Sequence, residues 1–266
     1  MQAVHLAIGN FDGIHLGHRA LLKQAVDNAR ARRQMSAVLT FHPHPKRVLR
    51  LPNAPCLIYP IHHRCYLLRK SGCDAVRVQA FDEAFAAMTP EAFFEHLLRQ
   101  FPTLTAVYVG EDYRFGSHCA GNTHTLEELC RRYGIELHVC PNLKDNDEKI
   151  SSTRIRKALR EGLIRIANRL LGVPYHCIGF VQNHPYEGCA SLTKATDYSG
   201  NGSEKLFFHT HNELKPKDGS YSCTLRNQHG QQTVVVRLEN EQIRFISHVE
   251  PVFRSGTCVL FFKKNL

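Results

Sequence analysis

The ten residues GNFDGIHLGH at positions 9–18 constrain this chain more than any other stretch. They follow directly on the apolar run AVHLAI and precede RALLKQAVDNARARR, residues 19–33. In that segment Leu21, Leu22, Ala25, Val26 and Ala29 recur on one helical face, so a helix is predicted there. A strand, a Gly-containing turn and a helix start together predict an anion site, because unpaired N–H groups and the positive end of the helix dipole point out of the turn. His15 and His18 stand three apart and share one face of the first turn. Imidazoles so placed can donate hydrogen bonds to phosphate oxygens as charge develops on them. A lone H-x-G-H reads equally well as surface histidines beside a turn. The whole string, set directly behind the first apolar run, favours the anion site.

The chain has 266 residues, enough for two domains, and 43% of them are apolar, so a sizeable core is available. Its formal net charge of +10 favours anionic partners without choosing among nucleotides, nucleic acid and acidic surfaces. No stretch approaches the roughly 18 apolar residues of a membrane span. The N-terminus lacks the basic, apolar and cleavage regions of a signal peptide, and a cytoplasmic location is expected. The ten cysteines include no C-x-x-C pair, so zinc-type spacing is absent and reduced thiols are expected. His62, His63 and Cys65 do not make a convincing metal set.

Strand-like and helix-like segments alternate over residues 1–172. SAVLTF (36–41) precedes a loop rich in Pro and His, HPHPKRVLRLPNAP. A helix near 61–71 leads to DAVRVQ (74–79). Thr89 and Pro90 read as N-cap and first helical residue of EAFFEHLLRQ. TAVYVG (105–110), a helix LEELCRRYG ended by Gly134, IELHVC (135–140), and helices over 153–160 and 164–171 complete this half. The alternation predicts a mostly parallel α/β sheet that binds ligands at its C-terminal strand ends, where 9–18 and 110–116 both fall. After Leu171-Gly172-Val173-Pro174 the character changes. TVVVRL, QIRFIS and TCVLFF are strand-like, and NHP, YSGNGS and KPKDGS are turns, so residues 173–266 predict a small all-β barrel or sandwich.

A second basic element, ISSTRIRKALREG (150–162), places Ser151, Ser152 and Thr153 at a helix start with Arg154 and Arg156 directly behind. Hydroxyls, amides and the rigid guanidinium fork all suit phosphate. By itself this segment is an ordinary capped helix with a basic face; its partnership with H-x-G-H in one α/β domain makes it a phosphate element. With GNFDGIHLGH, TFHPHP, FDEAFAAMTPEAFFEHLL, VGEDYRFG, ISSTRIR and NRLLGVPY in this order, residues 4–175 resemble the prokaryotic bifunctional riboflavin kinase/FAD synthetase family. The resemblance implies a Rossmann-like nucleotidyltransferase module over 1–172, followed over 173–266 by a riboflavin-kinase-like barrel.

The resemblance further implies adenylyl transfer from ATP to FMN, giving FAD and pyrophosphate. His15, His18 and Arg156 would be catalytic. Gly9, Asn10, Phe11, Asp12, Gly13 and Gly17 would form the nucleotide loop, closed by Ser151, Ser152, Thr153 and Arg154. Asp112 and Phe115 would lie on the flavin or adenine side. Mg²⁺ would travel with ATP, held by its oxygens and water, with no protein ligand expected. His42 stands where the family has an acidic residue before P-H-P. The kinase half matches poorly. Thr210 and Asn212 survive from the family's P-T-A-N, but His209 and His211 replace Pro and Ala, and a catalytic glutamate is not recognisable. A barrel with weak or lost kinase activity is expected. Retained kinase activity, another phosphorylated acceptor, and a flavin- or RNA-binding regulator are the alternatives. Small-molecule nucleotides and flavins are the expected partners, with neither nucleic acid nor membrane; the sequence leaves the oligomeric state open.

Overall fold

The computed structural model describes residues 2–182, 206–254 and 256–266. The turns expected at 183–185 and 198–203, and the thiol of Cys189, lie outside the described residues. The chain divides into two compact units, Met1–Ser151 and Ser152–Leu266. The division falls ahead of the boundary expected at 172/173, so the two helices after residue 151 group with the β-rich unit.

The first unit runs β1 (Val4–Ile8), α1 (Leu16–Ala31), β2 (Met35–His42), α2 (Pro45–Val48), α3 (Ile61–Lys70), β3 (Ala75–Ala80), α4 (Glu83–Ala86), α5 (Pro90–Gln100), β4 (Leu104–Gly110), α6 (Thr123–Arg132), β5 (Glu136–Cys140), β6 (Lys144–Asp145) and β7 (Glu148–Lys149). Its five-stranded sheet has the order β3-β2-β1-β4-β5, and every pair in it is parallel. All five residues of β1 are buried, as a central strand covered on both faces demands. On one face Ala7, Val38, Ala106 and Tyr108 pack under Leu21, Leu22, Ala25 and Val26 of α1 and Leu68 of α3. On the other, Leu6, Leu39 and Val107 pack under Phe93, Phe94 and Leu97 of α5 and Leu126 and Leu129 of α6. The expected face of α1 is the buried one. The Thr89 hydroxyl caps α5 by accepting from the Ala92 N–H at 3.2 Å. Because the chain winds outward in both directions from β1 and β4, the sheet reverses between them, and the loops after these two strands open side by side.

The second unit runs α7 (Ser152–Arg160), α8 (Ile164–Leu171), β8 (His176–Gln182), β9 (Phe207–Thr210), β10 (Gly219–Asn227), β11 (Gly230–Glu239), β12 (Gln242–Phe245) and β13 (Cys258–Asn265). The six strands close into a barrel in the order β10-β11-β12-β9-β8-β13, leaving no unpaired sheet edge. Cys177, Phe208, Tyr221, Cys223, Leu225, Val236, Leu260 and Phe262 are among its buried residues. Gly172, at φ +73°, ends α8 in the left-handed conformation, and Pro174 follows. Asn168 then ties α8 to the barrel: its amide donates to the Phe262 carbonyl at 2.9 Å and its oxygen accepts from the Tyr175 N–H at 2.6 Å.

The hairpin β6–β7 was not expected from sequence. Its turn is Asn146-Asp147, both at positive φ, which suits a tight two-residue connection.

Candidate functional site

The loop between β1 and α1 is tightly built. Phe11 and Ile14 adopt φ of +50° and +43°, and both are almost wholly buried. Non-glycine residues held there store roughly 1–3 kcal/mol each, and such strain clusters at ligand-binding sites. Gly13, at φ +84°, takes the third left-handed position at little cost. The Phe11 ring packs edge-on to His18, with centroids 5.2 Å apart. A Cβ on Gly9 would come within 3.2 Å of that ring, and a Cβ on Gly17 would come within 3.3 Å of the His15 ring. Glycine at both places lets the stack close.

His15 is the N-cap of α1, its Nδ1 accepting from the His18 N–H at 3.3 Å. In the neutral ring this places the proton on Nε2. The two imidazoles stack with centroids 3.6 Å apart and planes 16° from parallel. Two cationic rings so close would repel, so at most one carries charge in the ligand-free site. Burial is the first cause holding His18 well below its ordinary value of 6.5, followed by the charges of His15, Arg64 and Lys149. His18 is therefore neutral at pH 7, and its Nδ1 finds no hydrogen-bond partner among the described residues. The first turn of α1 holds no acidic residue, so nothing on the helix offsets the positive dipole end.

Around this stack the structure adds residues that sequence did not single out. Arg64, on α3, is 1% exposed; it donates to the carbonyls of Asn10 at 2.8 Å and Phe41 at 3.0 Å. In IHHRCYLLRK it reads as one more surface cation, and only the fold turns it inward. Lys149 closes the β6–β7 hairpin, pairs with the Asp112 carboxylate, and adds positive charge toward His18. Asn142 also donates to Asp112, at 3.1 Å.

The expected site residues do not all play the same part. Gly9, Asn10, Gly13, His15, Gly17 and His18 belong to one loop and helix start. Asp12, expected in the nucleotide loop, is 1% exposed, and its oxygens accept from the N–H groups of Ile58 and Tyr59 at 3.1–3.2 Å. The carboxylate thereby pins the 58–59 segment to the loop. Phe115 is also buried, 5.3 Å from Phe93 and 5.6 Å from Tyr113 between ring centroids. Its ring supports the core beneath the β4 loop; Asp112 alone of that pair is exposed. Ser151 ends the first unit, while Ser152, Thr153, Arg154 and Arg156 open α7 in the second, with Arg156 buried.

The carboxylates here are engaged by Lys149, Asn142 and backbone amides, and no group of three His, Cys, Asp or Glu suited to a metal occurs among the described residues.

In the barrel, Thr210 donates to the Ile178 carbonyl at 2.7 Å and accepts from the Asn212 N–H at 3.1 Å. Asn212 is 2% exposed and donates to the His176 carbonyl at 3.2 Å. Both side chains staple the β9 end to β8. No helix of the described residues is long and apolar enough to cross a membrane.

Comparison with known proteins places the chain among flavin-nucleotide enzymes by sequence. A bifunctional riboflavin kinase/FMN adenylyltransferase of Haemophilus influenzae is 34% identical over 181 residues, covering 68% of this chain and 59% of that protein. The protein of the same name from Bacillus subtilis is 35% identical over 178 residues, covering 66% of this chain and 55% of its own. The matched part spans less than two thirds of these relatives' length. A crystal structure titled as a macrolide-efflux protein from Streptococcus pneumoniae superposes with a TM-score of 0.81 at 22% identity, covering 100% of this chain and 95% of that one, which shows the fold alone. The FAD synthetase family matches residues 1–154, and the chain belongs to that family.

Proposed function

We propose that this chain transfers the adenylyl group of ATP to FMN. An FMN phosphate oxygen attacks the α-phosphorus of ATP; the bond to the bridging oxygen breaks, pyrophosphate leaves, and FAD is the product. Such a transfer needs placement and charge neutralisation more than a covalent partner. The observation that carries the reading is the stacked His15–His18 pair at the acid-free start of α1, in a strained loop where the parallel sheet reverses. Membership of the FAD synthetase family supplies the flavin.

In this reading His15, its orientation fixed by the cap, donates from Nε2 to a phosphate oxygen. His18, neutral before ligand arrives, gains proton affinity as the triphosphate enters and steadies the charge that develops on the leaving oxygens. Gly9, Asn10, Gly13 and Gly17 let phosphate approach the backbone. Ser151, Ser152, Thr153, Arg154 and Arg156 offer hydroxyls, amides and guanidinium forks of the kind that bind phosphate. Asp112 lies on the flavin or adenine side. Mg²⁺ arrives with ATP, ligated by phosphate oxygens and water. The reaction belongs in the cytoplasm, where ATP is supplied, and needs neither nucleic acid nor membrane.

The barrel carries a second proposal: it phosphorylates riboflavin weakly or not at all. A Mg-ATP site needs side-chain oxygens turned toward ligand, whereas Thr210 and Asn212 are bonded into the strand backbone. Incubation with Mg-ATP and either FMN or riboflavin, resolved by chromatography, tests both. FAD and pyrophosphate should form from FMN, and little or no FMN from riboflavin. FMN formation at ordinary enzyme rates would overturn the reading of the barrel.

A further inference from the structure

Arg64 has the burial of a core residue and the charge of a ligand-binding one. Its guanidinium is bonded to two carbonyls, those of Asn10 and Phe41, and to no carboxylate. The Asp12 carboxylate acts on it only at a distance, since its oxygens serve the N–H groups of Ile58 and Tyr59. The Nε of Arg64 finds no hydrogen-bond partner among the described residues. Asn10 lies in the β1–α1 loop and Phe41 near the end of β2, so one side chain holds two neighbouring strand ends in register. The same charge acts on His18, which also faces His15 and Lys149. A buried cation without a bonded counter-charge is costly, and it is retained where an anion completes it. Every charged neighbour acting on His18 here is positive or can become so.

We propose that Arg64 is a positioning residue of the anion site: its fork fixes the histidine loop against β2, and its buried charge is completed by the polyphosphate of the incoming nucleotide. This rests on the reading of the loop as a phosphate site, but not on FMN being the acceptor.

Two substitutions separate the two duties. Arg64→Gln can still donate to a carbonyl but carries no charge; Arg64→Lys keeps the charge and loses the two-carbonyl fork. With inorganic triphosphate as probe, calorimetry should show affinity about tenfold weaker in Arg64→Gln, the loss expected when a buried charge near the site is removed, and within about threefold of wild type in Arg64→Lys. Adenylyl transfer by Arg64→Lys should show kcat lowered about tenfold with KM for ATP little changed, as for a displaced reacting group. In ligand-free Arg64→Gln, the His18 ring should titrate closer to its ordinary value by NMR, and Arg64→Lys should leave it near the wild-type position. Equal triphosphate affinity in wild type and Arg64→Gln overturns the proposal. So does an Arg64→Lys enzyme with wild-type kcat, which decides the matter should Arg64→Gln not fold. Absence of FAD formation in the wild type, with triphosphate binding still lost in Arg64→Gln, would remove the proposed reaction and leave the anion site standing.

Discussion

The histidine loop and the β8–β9 corner treat their polar groups in opposite ways. Around the histidine loop the backbone is strained at Phe11 and Ile14, and Asn10 Oδ1, His18 Nδ1 and Arg64 Nε lack hydrogen-bond partners among the described residues. At the β8–β9 corner of the barrel, Thr210 and Asn212 are bonded into the strand backbone. Native folds satisfy nearly all buried polar groups, and exceptions need a reason. A ligand that supplies the missing partners is such a reason. By that measure the histidine loop has the open valences that the proposed ligand would fill, and Thr210 and Asn212 hold strands together.

The comparison can be broken most forcefully at Gly179. A Cβ there would lie 1.7 Å from the His209 carbonyl oxygen, a clash with backbone that no side-chain movement relieves. Gly179→Ala should destabilise the barrel by about 3 kcal/mol or more, seen as loss of its cooperative urea transition by circular dichroism. His18→Ala should lower the turnover of FAD formation about 10²–10³-fold while leaving the thermal midpoint nearly unchanged, because the residue serves ligand rather than fold. A variant keeping most of its turnover would remove His18 from the chemistry. Asn212→Ala reverses the pattern: about 1–3 kcal/mol of barrel stability is lost, read from the denaturant midpoint, with FAD formation little changed under conditions where the variant is folded. Acid sharpens the contrast least but cleanly. Burial lowers the pKa of both His5 and His18 from 6.5, so the folded first unit binds fewer protons than the unfolded chain. Stability is therefore present above 6.5 and declines as pH falls through that value toward the folded pKa of each ring, and the thermal midpoint should drop over that interval.

Much of the fold was legible because its signals are local. The apolar face of α1, the Thr89–Pro90 start of α5 and the Gly172–Pro174 stop after α8 each depend on neighbours in sequence, and each is found where expected. The β6–β7 hairpin was hidden because KDNDEK carries no apolar alternation; only its Asn-Asp turn marks it. The site was legible as a string and not as a set of duties. Asp12 bonds to residues 46 and 47 positions away, and Arg64 reaches 54 positions back to Asn10, so long-range contact decides what each does. The grouping of α7 and α8 with the barrel is likewise a matter of tertiary packing.

The most direct measurement is formation of FAD and pyrophosphate from FMN and Mg-ATP by the full chain, beside its His18→Ala variant. Stoichiometric FAD and pyrophosphate from the wild type, with both nearly abolished in a variant of unchanged thermal midpoint, is the expected result. A folded wild-type chain that binds ATP yet releases no pyrophosphate in the presence of FMN would contradict it.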